Sequence, residues 1–149
     1  MNALQMIKAR LQNIPIKDML EEAAREYTPV IEDLNAEQLL QGTYTTGREI
    51  TPGYRNPVYA QAKQFMNSRP RPGVPDLKAT GAYHESIEAR VDTEGISMEA
   101  TDAKAQDLEA KYGDELIGLS DASRETLAHD YLKPSLVEQV LKYLAGWRQ

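Results

Sequence analysis

The sequence between residues 76 and 101, DLKATGAYHESIEARVDTEGISMEAT, contains two runs in which apolar and polar residues alternate. A period of two over Ser86–Asp92, and again over Gly95–Thr101, predicts two β-strands with one buried side and one side in water. The intervening DTEG suits a tight turn, because Asp is favoured at its first position and Gly accepts a left-handed backbone. The predicted buried face carries Ile87, Ala89, Val91, Ile96, Met98 and Ala100. We therefore predict an antiparallel β-hairpin.

Helical spacing dominates the chain before the hairpin. Leu4, Ile7 and Leu11 recur at intervals of three and four until Pro15 interrupts the pattern, and a second periodic stretch covers residues 18–40. Pro29 falls inside that stretch and should kink or end a helix, because proline lacks an amide hydrogen and its ring clashes with the preceding turn. We predict a long N-terminal helix, kinked or split at this proline, that stops at Gly42.

Helical patterns also follow the hairpin. They cover residues 102–112 and 120–127, and a last helix is predicted to open at Lys133-Pro134, because proline loses no hydrogen bond at the first helical position. A lone hairpin is marginal in water, so the helices should cover its apolar face. The predicted fold class is α+β, a single domain over residues 1–149 with helices packed on a small antiparallel sheet.

Two segments before the hairpin lack a clear pattern. Residues 42–50, rich in Thr and Tyr, fit either a small hairpin or a loop. Residues 51–75 hold five of the eight prolines. They are predicted to form a long basic loop within the domain, with a short helix at Val58–Asn67, and to be mobile in the free monomer.

Composition excludes several classes of protein. The chain has no cysteine, so disulfides and zinc–thiolate sites are excluded and a reducing compartment is favoured. We expect no membrane span, because no apolar run is long enough, and no secretory signal, because Lys8 and Arg10 interrupt the N-terminal region. The net charge of −6 argues against general nucleic-acid binding, which needs a positive excess to displace counterions.

Charge is distributed unevenly along the chain. Residues 50–75 hold four basic residues and no acidic one, whereas residues 85–125 hold twelve acidic and four basic residues. Either each region is a solvated surface, or a basic edge of one copy meets an acidic edge of another. Tyr44, Tyr54 and Tyr59 lie in or beside the basic segment, with Phe65 beyond them. These rings are read either as interface residues or as anchors of the segment to its own domain.

No pattern in the sequence indicates an active site. His84 and His129 each precede a carboxylate, but neither has a second histidine at a metal-binding spacing. The chain contains no phosphate-binding glycine motif and no nucleophile elbow. We therefore expect no enzyme activity, no metal, no cofactor and no small-molecule substrate. A hydrolase or metal-dependent enzyme that uses one of the histidines is the alternative that fits least.

Four segments together resemble a known family. LKATGAYHESI (Leu77–Ile87) resembles a "TG-x-L-x-x-S-I" segment of the tail-completion and head–tail joining proteins of tailed phages, also labelled virion morphogenesis proteins. NAEQLLQGTYTTGREI (Asn35–Ile50), KYG (Lys111–Gly113) and LKPSLVEQVLKYL (Leu132–Leu144) are similar to that family's lead-in, second-helix end and final helix. The chain departs from the pattern at Tyr83 and His84, where the family more often has an aliphatic residue and a basic one.

The resemblance implies a non-enzymatic virion protein of a phage or prophage. Such a protein would be assembled in the cytoplasm of the bacterial host. It would act as a homo-oligomer, often a six-fold ring, with phage connector and tail-tube proteins as partners. The alternative from a different class is a small interaction or regulatory module of a bacterial mobile element.

A ring requires each copy to present two unlike patches. The predicted basic patch comprises Arg55, Tyr59, Lys63, Arg69 and Arg71, and the predicted acidic patch comprises Glu88, Glu99, Asp107 and Glu109. We expect Arg69 and Arg71 of one copy to reach the acidic patch of its neighbour.

Overall fold

The predicted hairpin is confirmed in a computed structural model, which describes residues 2–66 and 73–146. Strands β1 (Ile87–Asp92) and β2 (Gly95–Ala100) pair antiparallel, with Ile87 opposite Ala100 and Asp92 opposite Gly95. The Asp92 carboxylate accepts hydrogen bonds from the backbone N–H groups of Glu94 and Gly95, at 2.8 and 3.0 Å, and so closes the turn. The described residues form an α+β fold. Their helices are α1 (Ala3–Gln12), α2 (Ile16–Glu26), α3 (Thr28–Leu40), α4 (Pro57–Met66), α5 (Ala82–Glu85), α6 (Ala105–Tyr112), α7 (Asp121–Thr126) and α8 (Lys133–Ala145).

The N-terminal region consists of three helices, so a single long helix is not confirmed. The first break lies between α1 and α2, where Pro15 precedes α2. The second lies at Tyr27, and Pro29 is the second residue of α3. Gly42 follows α3 with φ of 74°, and the N–H of Thr43 donates to the carbonyl of Gln38 at 3.0 Å. This left-handed glycine ends the helix as predicted.

The last helix, α8, begins at Lys133 with Pro134 in its first turn, as predicted, but it continues without a break from the helical residues before it. Ser120 caps α7 by accepting from the N–H of Ser123, and a π-helical stretch, Leu127–Leu132, joins α7 directly to α8. Proline cannot donate to the helix ladder, and its ring needs space against the preceding turn. The wider π-helical turns just before Pro134 supply that space and keep the helix continuous.

Helix α3 packs against β1 and places the core between the helices and the hairpin. One buried cluster comprises Leu39, Tyr44, Ile50, Tyr83, Ile87, Ala105 and Leu116, and a second comprises Ile31, Ala89, Leu119 and Leu127. The predicted inner face of the hairpin is covered at its base, where Ile87 and Ala89 are buried, but Ile96 near the turn is 40% exposed. The hairpin therefore leaves an apolar surface at its tip.

Two buried amides of α3 hold an irregular segment against the core. The Asn35 side chain donates to the carbonyl of Leu116 at 3.0 Å and accepts from the N–H of Gly118 at 3.1 Å. Gln38 likewise donates to the carbonyl of Gly118 and accepts from the N–H of Ser120, at 3.1 and 2.8 Å. The backbone of residues 116–120 is thus hydrogen-bonded to side chains rather than to a neighbouring strand.

The two segments without a clear sequence pattern are partly ordered. Residues 42–50 make one β-bridge, between Thr43 and Glu49, and the Tyr44 hydroxyl lies 2.8 and 2.7 Å from the carbonyl oxygens of Thr51 and Tyr112. The described part of residues 51–75 contains α4, close to the short helix predicted there. None of the helices in the described part of the chain is long and apolar enough to cross a membrane.

Candidate protein-interaction surfaces

A cleft of about 810 Å³ opens between residues 52–59, residues 77–83 and α6. We call it the tyrosine–lysine cleft. Its lining includes Tyr54, Arg55, Tyr59, Lys78, Tyr83, Lys104, Lys111 and Tyr112. The cleft thus joins the predicted basic segment to the TG-containing segment that carries the family resemblance.

Positive charge predominates in this cleft. Arg55, Lys78, Lys104 and Lys111 form no ion pair with any described residue, although Lys111 lies 5.1 Å from the ring centre of Tyr112. One acidic residue, Asp102, lies in the lining, and its carboxylate accepts the backbone N–H of Lys104 at 3.0 Å. A chain of net charge −6 therefore concentrates unpaired cations at one site.

A buried ion pair lies beside the cleft. The Lys63 amine is 2.8 Å from an Asp76 carboxylate oxygen, and the two side chains are 6% and 1% exposed. The Lys63 amine also donates to the carbonyl of Lys78, and the Asp76 carboxylate accepts the N–H of Lys78 at 3.0 Å. Lys63 therefore lies inside the domain rather than on the exposed basic surface where the sequence analysis placed it. Charged groups are almost never buried without such a partner.

The tyrosines divide into anchors and exposed rings. Tyr54 is held at Asp76, and burial raises the pKa of its phenol far above the usual value. Tyr59 packs edge-on against it, with ring centres 5.1 Å apart, and stays 48% exposed. Burial, helped by the negative charge of Glu109, raises the pKa of Tyr83 to about 12, and its hydroxyl has no partner among the described residues. Tyr59 is thus the tyrosine of the cleft best placed to contact another protein, and Phe65 on α4, 88% exposed, is not an anchor of its own domain either.

The predicted acidic patch is only partly brought together. Glu88 and Glu99 lie opposite each other on the outer face of the hairpin, and their side chains are 52% and 57% exposed. Arg90 lies between them, 3.9 Å from Glu88 and 3.2 Å from Glu99, and reduces the negative charge there. Asp107 and Glu109 are on a separate element, α6, where Asp107 is exposed and Glu109 half-buried.

Sequence reasoning missed most of the cleft's cations. Lys104, which directly precedes α6, and Lys111, in its last turn, fall in the region counted as acidic, yet their spacing of seven puts them on the same side, and both line the cleft. The helical spacing of these two lysines could have been recognised in the sequence. The charge count over residues 85–125 hid it, because such a count combines residues from opposite faces of a helix. Arg69 and Arg71 lie outside the described residues.

Two apolar surfaces are also uncovered. Helix α1 has no buried residue, and Leu4, Ile7 and Leu11 are 74%, 42% and 51% exposed. Separately, a groove of about 590 Å³ lies between α2, the hairpin turn and the helical run before α8. We call it the hairpin-tip groove. Its apolar lining is Leu20, Ala24, Val91, Ile96, Met98, Ile117, Leu119, Leu127 and Leu132.

The histidines do not form a metal site. Within residues 2–66 and 73–146, no group of three or more histidines and carboxylates lies close enough to hold a metal ion. Burial lowers the pKa of His84, and Lys78 and Lys63 act in the same direction, while Asp76 opposes them. His129 is exposed on the π-helical stretch.

Comparison of the chain with protein-family models, with curated proteins and with solved structures found no match. The resemblance to head–tail joining proteins therefore stays a prediction.

Proposed function

We propose that this chain is a non-enzymatic structural protein that assembles with copies of itself at the head–tail joint of a tailed phage or prophage. The observation that carries the proposal is the segregation of charge. Four cations that have no ion pair with a described residue line the tyrosine–lysine cleft, and Glu88 and Glu99 lie together on the outer face of the hairpin, with Arg90 beside them. Unlike patches on one copy favour a head-to-tail contact, which repeats around a ring until it closes.

The chemistry of the cleft supports recognition better than proton transfer. Its tyrosines Tyr54 and Tyr83 have raised pKa values, so both remain protonated at neutral pH and can donate hydrogen bonds but not act as bases. Lys63 and Asp76 neutralise each other. Exposed Tyr and Arg side chains, here Tyr59 and Arg55, are residue types that protein interfaces enrich.

The virion location and the connector and tail-tube partners come from the resemblance of residues 77–87 and of three further segments. The α+β fold, with helices on a small hairpin, is compatible with it. If the proposal is correct, virions from cells that carry the gene contain the chain at a few copies per particle. Virions that lack it entirely would contradict the location.

A charge-swap experiment tests the contact. One variant carries Lys104→Glu and Lys111→Glu, and a second carries Glu88→Lys and Glu99→Lys. Like charges then face each other in either variant alone, so we expect each to lose the salt-sensitive self-association of the wild type. Mixed together, the two variants present opposite charges at every contact of an alternating assembly, so association should return.

The matched control carries Lys133→Glu and Lys142→Glu on α8, which changes the net charge equally but away from the cleft. Sedimentation velocity at low and high salt gives the readout. Cleft and hairpin variants that assemble like the wild type would overturn the proposed contact.

A further inference from the structure

Helix α1 is folded but uncovered. Asn2 and Gln5 form a reciprocal cap at its start, with hydrogen bonds of 2.8 and 2.9 Å, so the helix is well specified locally. Its attachment to the rest of the chain runs through polar groups. The Arg10 guanidinium lies 4.3 Å from the ring centre of Tyr143, and the Tyr143 hydroxyl is 3.3 Å from the carbonyl oxygen of Asn13. None of its apolar side chains is buried.

Three of the four exposed large apolar residues of α1 form one stripe, and Met6 lies off it. Leu4, Ile7 and Leu11 have the spacing by which an amphipathic helix enters an apolar groove on another protein. Lys8 borders the stripe, and residues 1–13 carry two basic and no acidic residues. A complementary groove should therefore be apolar, with carboxylates at its rim.

The hairpin-tip groove has these properties. Its walls carry aliphatic side chains, including Leu20 and Ile96, which are 42% and 40% exposed. Asp92 and Glu94 at the turn are among its lining residues, together with Lys17, Arg124 and Glu21, whose carboxylate is paired with Arg25. A single chain thus displays both an uncovered apolar helix and an uncovered apolar groove.

Within one chain, the described contacts of α1 hold it away from the wall of the groove that contains Leu127 and Leu132. Arg10 and Asn13 hold α1 at Tyr143, near the C-terminal end of α8, whereas Leu127 and Leu132 of the groove precede α8. Helix α8 spans roughly 20 Å at 1.5 Å per residue. A second copy can bring its own α1 to the groove without breaking these contacts.

We propose that α1 of one copy docks in the hairpin-tip groove of a second copy. Leu4, Ile7 and Leu11 enter the groove, and Lys8 lies near Asp92 and Glu94. The contact joins unlike surfaces, so it extends from copy to copy. It rests on the proposed function, in that it supplies an apolar component of the same self-assembly.

Disulfide trapping tests the docking directly, because the chain has no cysteine of its own. Full-length Ile7→Cys and Ile96→Cys chains are mixed and mildly oxidised, and linked peptides are identified by mass spectrometry. We expect links between residues 7 and 96 to exceed every other link, and the doubly substituted chain to form dimers and longer oligomers. The control replaces Ile7→Cys by Val137→Cys, an apolar position on α8 of similar exposure, and should give few links.

A second variant separates docking from folding. Leu4→Glu with Leu11→Glu alters exposed side chains alone, so circular dichroism and thermal stability should match the wild type. Self-association should weaken about tenfold, since interface anchors dominate binding energy. Val137→Glu with Leu141→Glu, at side chains of α8 that are 49% and 60% exposed, is the matched control and should have no effect.

The outcomes distinguish this inference from the proposed function. Links from residue 7 to residue 7, or from 7 to 96 within one chain, would overturn the docking. If no 7–96 links form but the mixed charge-swap variants still assemble, the docking of α1 is also overturned. The proposed function is then unaffected. If charge-swap variants and trapping both fail, self-assembly itself is wrong.

Discussion

Lys63 and Asp76 show how the chain's charges are divided between its interior and its surface. Lys63 was one of four cations of a basic segment in the sequence, and nothing local marks it as different from Arg55. The structure pairs it with Asp76, thirteen positions later, and excludes both side chains from solvent. Such a pairing depends on how α4 returns to residues 76–78, which no local pattern encodes.

Asp76→Asn should strongly destabilise the fold. The substitution keeps the shape of the side chain but leaves the Lys63 ammonium buried without a counterion. Breaking a buried ion pair in this way typically costs about 3–5 kcal/mol of unfolding free energy. Urea unfolding measures the change, and Asp33→Asn, at an exposed site on α3, is the control. A loss no larger than that of the control would contradict the importance of the pair.

His84 should make stability fall in mild acid. Burial lowers the pKa of His84 in the folded chain, so as the pH drops below the ordinary value of about 6.5 the unfolded chain binds a proton that the folded chain resists. His84 therefore favours folding less at about pH 5.5 than at about pH 7.5. In His84→Asn the difference in unfolding free energy between these conditions should shrink. His129→Asn, at an exposed site, should leave it unchanged.

At the scale of elements, local patterns predicted most of the regular structure. Strict alternation gave the hairpin and its turn, and helical spacing gave the helical regions on both sides. Junctions between helices were less predictable. Pro134 lies within a continuous helical run because the π-helical stretch Leu127–Leu132 makes room for it, an adjustment that propensity does not indicate.

The hydrogen bonds between α3 side chains and residues 116–120 could not be predicted from the sequence for a similar reason. Asn35 and Gln38 look like ordinary polar residues of a helix, yet both are buried and satisfy backbone groups about eighty positions away. Glu32 behaves likewise, since its carboxylate accepts the N–H of Ala89 at 3.0 Å. These contacts require the tertiary fold to exist first.

Asn35→Leu should therefore destabilise the chain. It leaves the carbonyl of Leu116 and the N–H of Gly118 without their partners in a buried site, at a cost of about 2 kcal/mol or more. Thermal and urea unfolding provide the measurement. Asp33→Leu places the same side chain on an exposed position of the same helix and should change stability by less than about 0.5 kcal/mol.

At the scale of the whole molecule, the surface is organised into unlike patches. The basic and acidic regions could be recognised from charge counts along the sequence. The cleft could not, because the fold brings Lys104, before α6, and Lys111, at its end, to one site with residues 52–59. The apolar stripe of α1 could be predicted from the sequence. Its exposure to solvent could not, since residue spacing does not show what a helix packs against. The proposed assembly by head-to-tail contacts would give these patches one common explanation.

The central claim is that copies join through complementary surfaces. Its most direct test is the mass, by sedimentation velocity, of an equimolar mixture of the Lys104→Glu, Lys111→Glu chain and the Glu88→Lys, Glu99→Lys chain. The account predicts that each variant alone stays monomeric where the wild type assembles, and that the mixture regains the mass of the wild-type assembly. A mixture that stays monomeric under those conditions, or variants that assemble unaided, would contradict it.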